Sequence, residues 1–142
     1  MSDEPGRVLA IDIGDKRIGL AVSDPTRTIA QPLATLTRRL GKRFPMKQLH
    51  AYLNEYEPVG VVVGMPLTED GEVGDRALEA RAIGDLIAEK TGLPVSYVDE
   101  RMTTSRALRA VRDLGGGTRG RKRDVDPLAA TVILQQFLEH SR

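Results

Sequence analysis

Three carboxylates occupy positions where a folded chain must compensate them. Asp12 closes the apolar run Val8-Leu9-Ala10-Ile11, Glu100 follows Pro94-Val95-Ser96-Tyr97-Val98 and Asp99, and Asp126 immediately precedes Pro127. An isolated carboxylate at the end of a buried strand is costly unless a metal ion, a cation or a hydrogen-bonding turn offsets it. Oxygen donors of this kind suit hard divalent cations such as Mg²⁺ or Mn²⁺. Two such ions about 4 Å apart can polarise a phosphodiester and hold both the attacking water and the leaving oxygen. Each acid also has a plainer reading. Asp12 fits an Asx turn at a strand end, Glu100 an ion pair with Arg101, and Asp126 an N-cap ahead of a first-turn proline. What favours a shared site is their convergence on one edge of the expected sheet. Asp15, Asp24, Asp99 and Asp124 are spare acids nearby, with Asp99 expected on the other side of its strand. His50 and His140 sit in no motif, and no serine has an orienting histidine close by, which speaks against a Ser-His-Asp arrangement.

The elements that must position these acids follow from the apolar pattern. Strands are expected at about 7–13, 17–23 and 29–36, the last carrying Ile29, Leu33 and Leu36. Pro45 suits the first turn of a helix over about 44–56, which Pro58 ends. Val59-Gly60-Val61-Val62-Val63-Gly64 reads as a central strand buried on both faces and hence parallel to its neighbours. After the Pro/Gly/acid loop from Met65 to Gly74, a helix at about 74–91 places Leu78, Ala82, Ile83, Leu86 and Ile87 on one face and is capped by Gly92. A strand at 94–98 and a helix from Thr103 or Thr104 to about Leu114 come next. The triple glycine 115–117 then opens a basic loop to Arg123, and a last helix starts at Asp126-Pro127 with Leu128, Ala129, Val132, Ile133 and Phe137 on its buried side.

The order βββαβαβαα makes three strands an antiparallel meander and sends the two later ones back through helical crossovers, parallel to the first. The fold class is therefore α/β: a mixed five-stranded sheet, order 3-2-1-4-5, with strand 2 antiparallel and helices on both faces. Sites in such sheets form beyond the carboxyl ends of the parallel strands. Asp12, the Gly64-Met65-Pro66 loop and Asp99-Glu100 all belong to those ends.

Bulk properties narrow the partners. A chain of 142 residues suits one domain spanning 1–142, and 40% hydrophobic with 29% charged residues fits a globular protein rather than a disordered or membrane one. No apolar stretch approaches the roughly 20 residues that cross a bilayer. The polar start Ser2-Asp3-Glu4-Pro5-Gly6 is not expected to be a signal peptide. Zero cysteines exclude disulfides and thiolate metal sites and agree with a reducing, cytoplasmic setting. The net charge of +1 is uninformative. The basic clusters Arg38-Arg39-Leu40-Gly41-Lys42-Arg43 and Arg119-Gly120-Arg121-Lys122-Arg123 are more telling, either as solvated surface or as phosphate-binding patches.

Four segments, in order along nearly the whole chain, resemble a known family. Asp12-Ile13-Gly14-Asp15-Lys16-Arg17-Ile18-Gly19 with Ser23-Asp24 is similar to the opening signature of the YqgF family, also called RuvX-like, of the RNase H-like superfamily. Val63-Gly64-Met65-Pro66-Leu67 with Asp70-Gly71 resembles its central loop. Asp99-Glu100-Arg101-Met102-Thr103-Thr104 resembles its most specific motif, and Asp126-Pro127-Leu128-Ala129-Ala130 its final one. The resemblance implies an RNase H-like, divalent-metal nuclease acting on structured RNA, in 5′-end maturation of 16S ribosomal RNA, or on branched DNA as a four-way junction resolvase. It implies a two-metal site of Mg²⁺ or Mn²⁺ on Asp12, Glu100 and Asp126. Lys16, Arg17 and Arg101 would meet phosphates, and the basic loop with Arg119, Arg121, Lys122 and Arg123 would close over the backbone. Asp15 stands where relatives often have a hydroxyl residue, and the triple glycine is also unusual. Either a monomer or a homodimer is compatible.

Two rival functions start from the same residues. An actin-like or sugar-kinase-like ATPase also opens on Asp-Ile-Gly, but it needs a second lobe for which 142 residues leave no room. A non-catalytic nucleic-acid-binding assembly factor could keep the fold, against which stands the retention of all three acids.

Overall fold

The computed structural model describes residues 5–14, 16–38, 44–66, 74–100 and 122–141, with the backbone alone at 122–126. Its elements are β1 (Val8–Ile13), β2 (Arg17–Ser23), β3 (Ala30–Thr37), α1 (Met46–Tyr56), β4 (Gly60–Met65), α2 (Asp75–Thr91), β5 (Val95–Asp99) and α3 (Lys122–His140). The strands form one five-stranded sheet in the order β3-β2-β1-β4-β5. β2 is antiparallel to β1 and β3, while β4 is parallel to both β1 and β5. This is the expected topology.

Strand alternation divides the core into two layers. Leu9 and Ile11 of β1, Ile18 and Leu20 of β2, and Val61 and Val63 of β4 pack with Leu49 and Leu53 of α1 and with Ala80, Ile83 and Ile87 of α2. On the opposite face Val8, Ala10, Ala21, Val62 and Val98 pack against Ala130, Ile133, Leu134 and Leu138 of α3. Helices thus cover both faces, as a sheet with buried parallel strands requires. Along β3 the register slips by one residue opposite Leu20 and Ala21, passing over Leu33 and bringing Pro32 opposite Ala21. A proline without an N–H is tolerated there because β3 is an edge strand. Gln135 of α3 ties that edge down: its Oε1 accepts the Ala30 N–H at 2.9 Å and its Nε2 donates to the Thr28 carbonyl at 3.1 Å.

Helix ends follow the chain's punctuation. Pro45 stands at the N-cap of α1, and Glu57, in the left-handed region, ends it before Pro58. Gly92 caps α2 at φ 74°, a backbone conformation that costs glycine no Cβ clash.

Several side-chain expectations need correction. Leu78 is 58% exposed and Ala82 is also exposed; the buried stripe of α2 is Ala77, Ala80, Ile83, Gly84 and Ile87. The α2 stripe therefore runs through small residues, which let the helix lie close to the sheet and escape a search for large apolar ones. Ile29 is 57% exposed, outside β3 in the turn that precedes it. In α3 Leu128 is 37% exposed, and the buried positions are Pro127, Ala129, Ala130, Ile133, Leu134 and Leu138. The last helix also begins at Lys122 rather than at Asp126. Pro127 is consequently inside it, where its missing N–H removes the bond to the carbonyl of residue 123. Lys122 and Arg123 belong to this helix and not to the preceding loop. The helix expected over 103–114 lies outside the described residues.

Candidate functional site

β1 delivers its acid by parity. Val8 and Ala10 point to the α3 layer, so Asp12, two further on, shares that face while Ile11 and Ile13 pack on the other. Its neighbours across the sheet are small. Asp12 pairs with Gly19 of β2. On the β4 side the last pair is Ile11 with Val63, which brings Asp12 next to Gly64. Asp12 is thus flanked by two residues without side chains, and it is half-buried.

β5 supplies the second acid by the same rule. Val98 is in the α3 layer, so Glu100 follows on that face, whereas Asp99 pairs with Met65 of the opposite layer. The expectation for Asp99 holds. A Cβ placed on Gly64 would lie 3.0 Å from Glu100 Oε1 and 3.0 Å from Ile133 Cδ1. The Glu100 carboxylate therefore lies over Gly64, the residue adjacent to Asp12, and beneath α3. Asp126 lies in α3 four residues before Ala130 and seven before Ile133, positions that share a helical face. Its side chain is outside the described residues.

The turn after Asp12 is held from three directions. The Gly14 N–H donates to the Arg17 carbonyl at 2.9 Å, and a Cβ on Gly14 would stand 2.7 Å from that oxygen, so the turn admits only glycine. The Arg38 N–H donates to the Lys16 carbonyl at 2.8 Å, and its guanidinium Nη1 donates to the Gly14 carbonyl at 3.3 Å. The same Nη1 is ion-paired with Glu79 Oε1 at 2.5 Å. Sequence reasoning missed this part for Arg38. Its only signal was membership of a basic cluster, read there as surface or phosphate patch. Lys16 is exposed at the turn, and Arg17, two residues before Gly19 on β2, falls on the Asp12 face. Arg101, Arg119 and Arg121 lie outside the described residues, as do the side chains of Lys122 and Arg123.

Ser23-Asp24 is not part of this site. β2 runs antiparallel to β1, so its end lies at the opposite edge of the sheet. Asp24 Oδ1 accepts the N–H groups of Thr28 and Ile29, both at 2.8 Å, and Oδ2 accepts the Thr26 hydroxyl. These donors, the Ile29 N–H foremost, hold its carboxyl well below the ordinary carboxylate range. His140 Nδ1 lies 2.7 Å from the Gln136 carbonyl, a contact within the last turn of α3.

Asp12 and Glu100 offer hard oxygen donors on one face, with Gly64 leaving the space between strand and helix that a Cβ would fill. That fits a divalent cation. Among the described residues no group of three His, Cys, Asp or Glu side chains that could hold a metal ion occurs.

Comparison with known proteins identifies the family. A family model described as "RuvX: Holliday junction resolvase" matches residues 6–140. A protein of Roseiflexus sp. (strain RS-1) named "Putative pre-16S rRNA nuclease" is 40% identical over 142 residues, covering 100% of both chains. The chain belongs to the RuvX family. A Lactobacillus delbrueckii subsp. bulgaricus protein of the same name is 40% identical over 139 residues, covering 96% of this chain and 98% of its own. Two solved structures show the same fold. Thermus thermophilus RuvC, in complex with a Holliday junction substrate, aligns with a TM-score of 0.56 at 20% identity over 96% of this chain and 95% of that one. The yeast mitochondrial Holliday junction resolvase Ydc2 aligns with a TM-score of 0.60 at 12% identity over 95% and 78%. This RuvX-family protein is thus an RNase H-like nuclease that hydrolyses phosphodiester bonds and takes nucleic acid as its partner. Metal dependence goes with that family and fold. Among the described residues, no helix is long and apolar enough to cross a membrane.

Proposed function

We propose that this nuclease, acting as one domain in the cytoplasm, processes the 5′ end of pre-16S rRNA, with Asp12, Glu100 and Asp126 as its catalytic acids. The observation that carries the site is the Glu100 carboxylate lying over Gly64, beside Asp12, on the face that α3 covers. The names of the relatives in Roseiflexus and Lactobacillus support the substrate. Asp12, Glu100 and Asp126 would hold two Mg²⁺ or Mn²⁺ ions, which when bound supply Lewis-acid polarisation of the phosphodiester and a more acidic water. The chain's own residues do the rest. Asp12, between Gly19 and Gly64, has no side chain directly beside it on either neighbouring strand, which lets a phosphate approach the strand end. Lys16 and Arg17 neutralise backbone charge beside it, and the basic residues Arg101, Arg119, Arg121, Lys122 and Arg123 are assigned the same role by the family resemblance. With Trp absent and aromatic residues at 4%, recognition rests on backbone charge and shape and not on base stacking.

The test is cleavage of precursor 16S rRNA by the purified protein with Mg²⁺ or Mn²⁺. Asp12→Asn and Glu100→Gln are each expected to slow it on the order of 100-fold, the loss brought by removing one stabiliser of transition-state charge. Cleavage unchanged in both variants would refute the site. The family description favours a second substrate, a four-way DNA junction. Two symmetric cuts call for a two-fold dimer, whereas a monomer suffices for RNA trimming. Solution mass with and without a four-way junction, alongside cleavage of that junction, separates the two.

A further inference from the structure

Gly64 is the penultimate residue of the most apolar strand of the chain, where a β-branched residue would be favoured and glycine weakens the strand. We propose that Gly64 is a positioning residue for the cut: its missing side chain is the recess that lets the Glu100 carboxylate fold back over β4 toward Asp12. The proposal rests on Glu100 being a metal-holding acid.

Three observations converge on it. Gly64 lies between the strands that carry the two acids, adjacent to Asp12 on β1 and paired with Val98 of β5, two residues before Glu100. The α3 layer closes over it, since Val62, Val98 and Ile133 pack together. Any Cβ there would stand 3.0 Å from Glu100 Oε1 and 3.6 Å from Glu100 Cγ. A contact that tight obliges its neighbour to give by a few tenths of an ångström, and a methyl group there would also strip the carboxylate's solvation on one side. The Glu100 carboxylate is then displaced from the position it holds beside Asp12, a small shift but one that ion coordination at fixed oxygen distances would register.

A purely structural account competes with this, because the same Cβ would also stand 3.0 Å from Ile133 Cδ1 and could lever α3 off the sheet. The two can be separated, since Ile133→Val removes the Cδ1 atom and leaves Glu100 untouched. The experiment compares Gly64→Ala, Ile133→Val, the double variant and Glu100→Gln. Thermal unfolding reports the packing, calorimetric Mn²⁺ affinity reports the site, and cleavage of precursor RNA follows. Gly64→Ala is expected to lower both the unfolding midpoint and the Mn²⁺ affinity, the latter by roughly 10- to 100-fold as for other groups that orient a metal ligand. In the double variant the midpoint recovers to that of Ile133→Val while Mn²⁺ affinity and cleavage stay low. Recovery of Mn²⁺ affinity in the double variant, or its retention in Gly64→Ala, would overturn the proposal. If instead Glu100→Gln binds Mn²⁺ as tightly as the unmodified protein, the assignment of Glu100 itself falls, and the proposal falls with it.

Discussion

The Ser23 hydroxyl accepts the Val8 N–H at 2.9 Å and donates to the Asp24 carbonyl at 2.9 Å, so the last residue of β2 pins the first residue of β1. Ser23 is 1% exposed, and Val8 is fully buried. Ser23→Ala leaves a buried N–H without its partner and is expected to cost about 1–3 kcal/mol. Chemical denaturation would measure it. Because this edge of the sheet is remote from Asp12, cleavage per folded molecule should not change.

Asp24 gives the fold an acid-sensitive edge. Its carboxyl is held low mainly by the Ile29 N–H and the Thr26 hydroxyl, so the folded state binds its proton less readily than the unfolded chain does. The stabilisation is present above the ordinary value of 3.8 and is lost as pH falls through the lower folded value. Asp24→Asn should therefore be less stable than the unmodified protein near neutrality, with the gap closing on acidification. Unfolding midpoints taken from neutral pH down through this range test it, and a gap independent of pH would contradict the assignment.

Gly84 lies inside α2, where alanine is ordinarily better by roughly 1 kcal/mol. Here the sign should reverse. An added Cβ would come within 2.7 Å of Tyr97 Cε1. The ring cannot easily yield, because its hydroxyl donates to Asp85 Oδ1 at 2.6 Å, lies 3.0 Å from the Arg81 carbonyl, and its face carries the Arg81 guanidinium 5.1 Å from the centroid. Overpacking of this kind costs about 1–3 kcal/mol, and Gly84→Ala is expected to lower the unfolding midpoint accordingly. Burial and then Asp85 push the Tyr97 phenol up to about 12, so its contribution is present below pH 10 and lost between about 10 and 12. Tyr97→Phe should remove that alkaline component from the absorbance titration.

Binding of nucleic acid should weaken steeply with salt, because backbone charge carries it. Lys16→Ala is expected to reduce the slope of log affinity against log salt by about 1, the share of one phosphate contact. An unchanged slope would remove Lys16 from the binding surface.

Much of this architecture was readable from the chain because alternation and punctuation are local signals. The five strands, their order, the end of α1 ahead of Pro58 and the cap at Gly92 follow from runs such as Val61-Val62-Val63 and from the prolines beside them. Helix faces were less readable. α2 packs through Ala77, Ala80 and Gly84, residues with little hydrophobic signature, while the large Leu78 faces water. The start of α3 was misplaced for a related reason, since Pro127 looks like a first-turn residue although the helix begins five residues earlier. Asp12 and Glu100 were found by type and position. The roles of Gly64 and Arg38 were not, because one acts through an absent side chain and the other through a carbonyl 24 residues away.

The alternation of β1 has a consequence for how this enzyme tolerates change. Even-numbered residues face α3 and odd-numbered ones face α1 and α2, with no spare turn of strand between Val8 and Asp12 to absorb an error. Insertion or deletion of a single residue there would exchange the two sets, sending the carboxylate into a hydrocarbon layer and an isoleucine to the face where Asp12 and Glu100 meet. Substitutions can be repaired one at a time, but a shift in reading of this strand would disable packing and chemistry together.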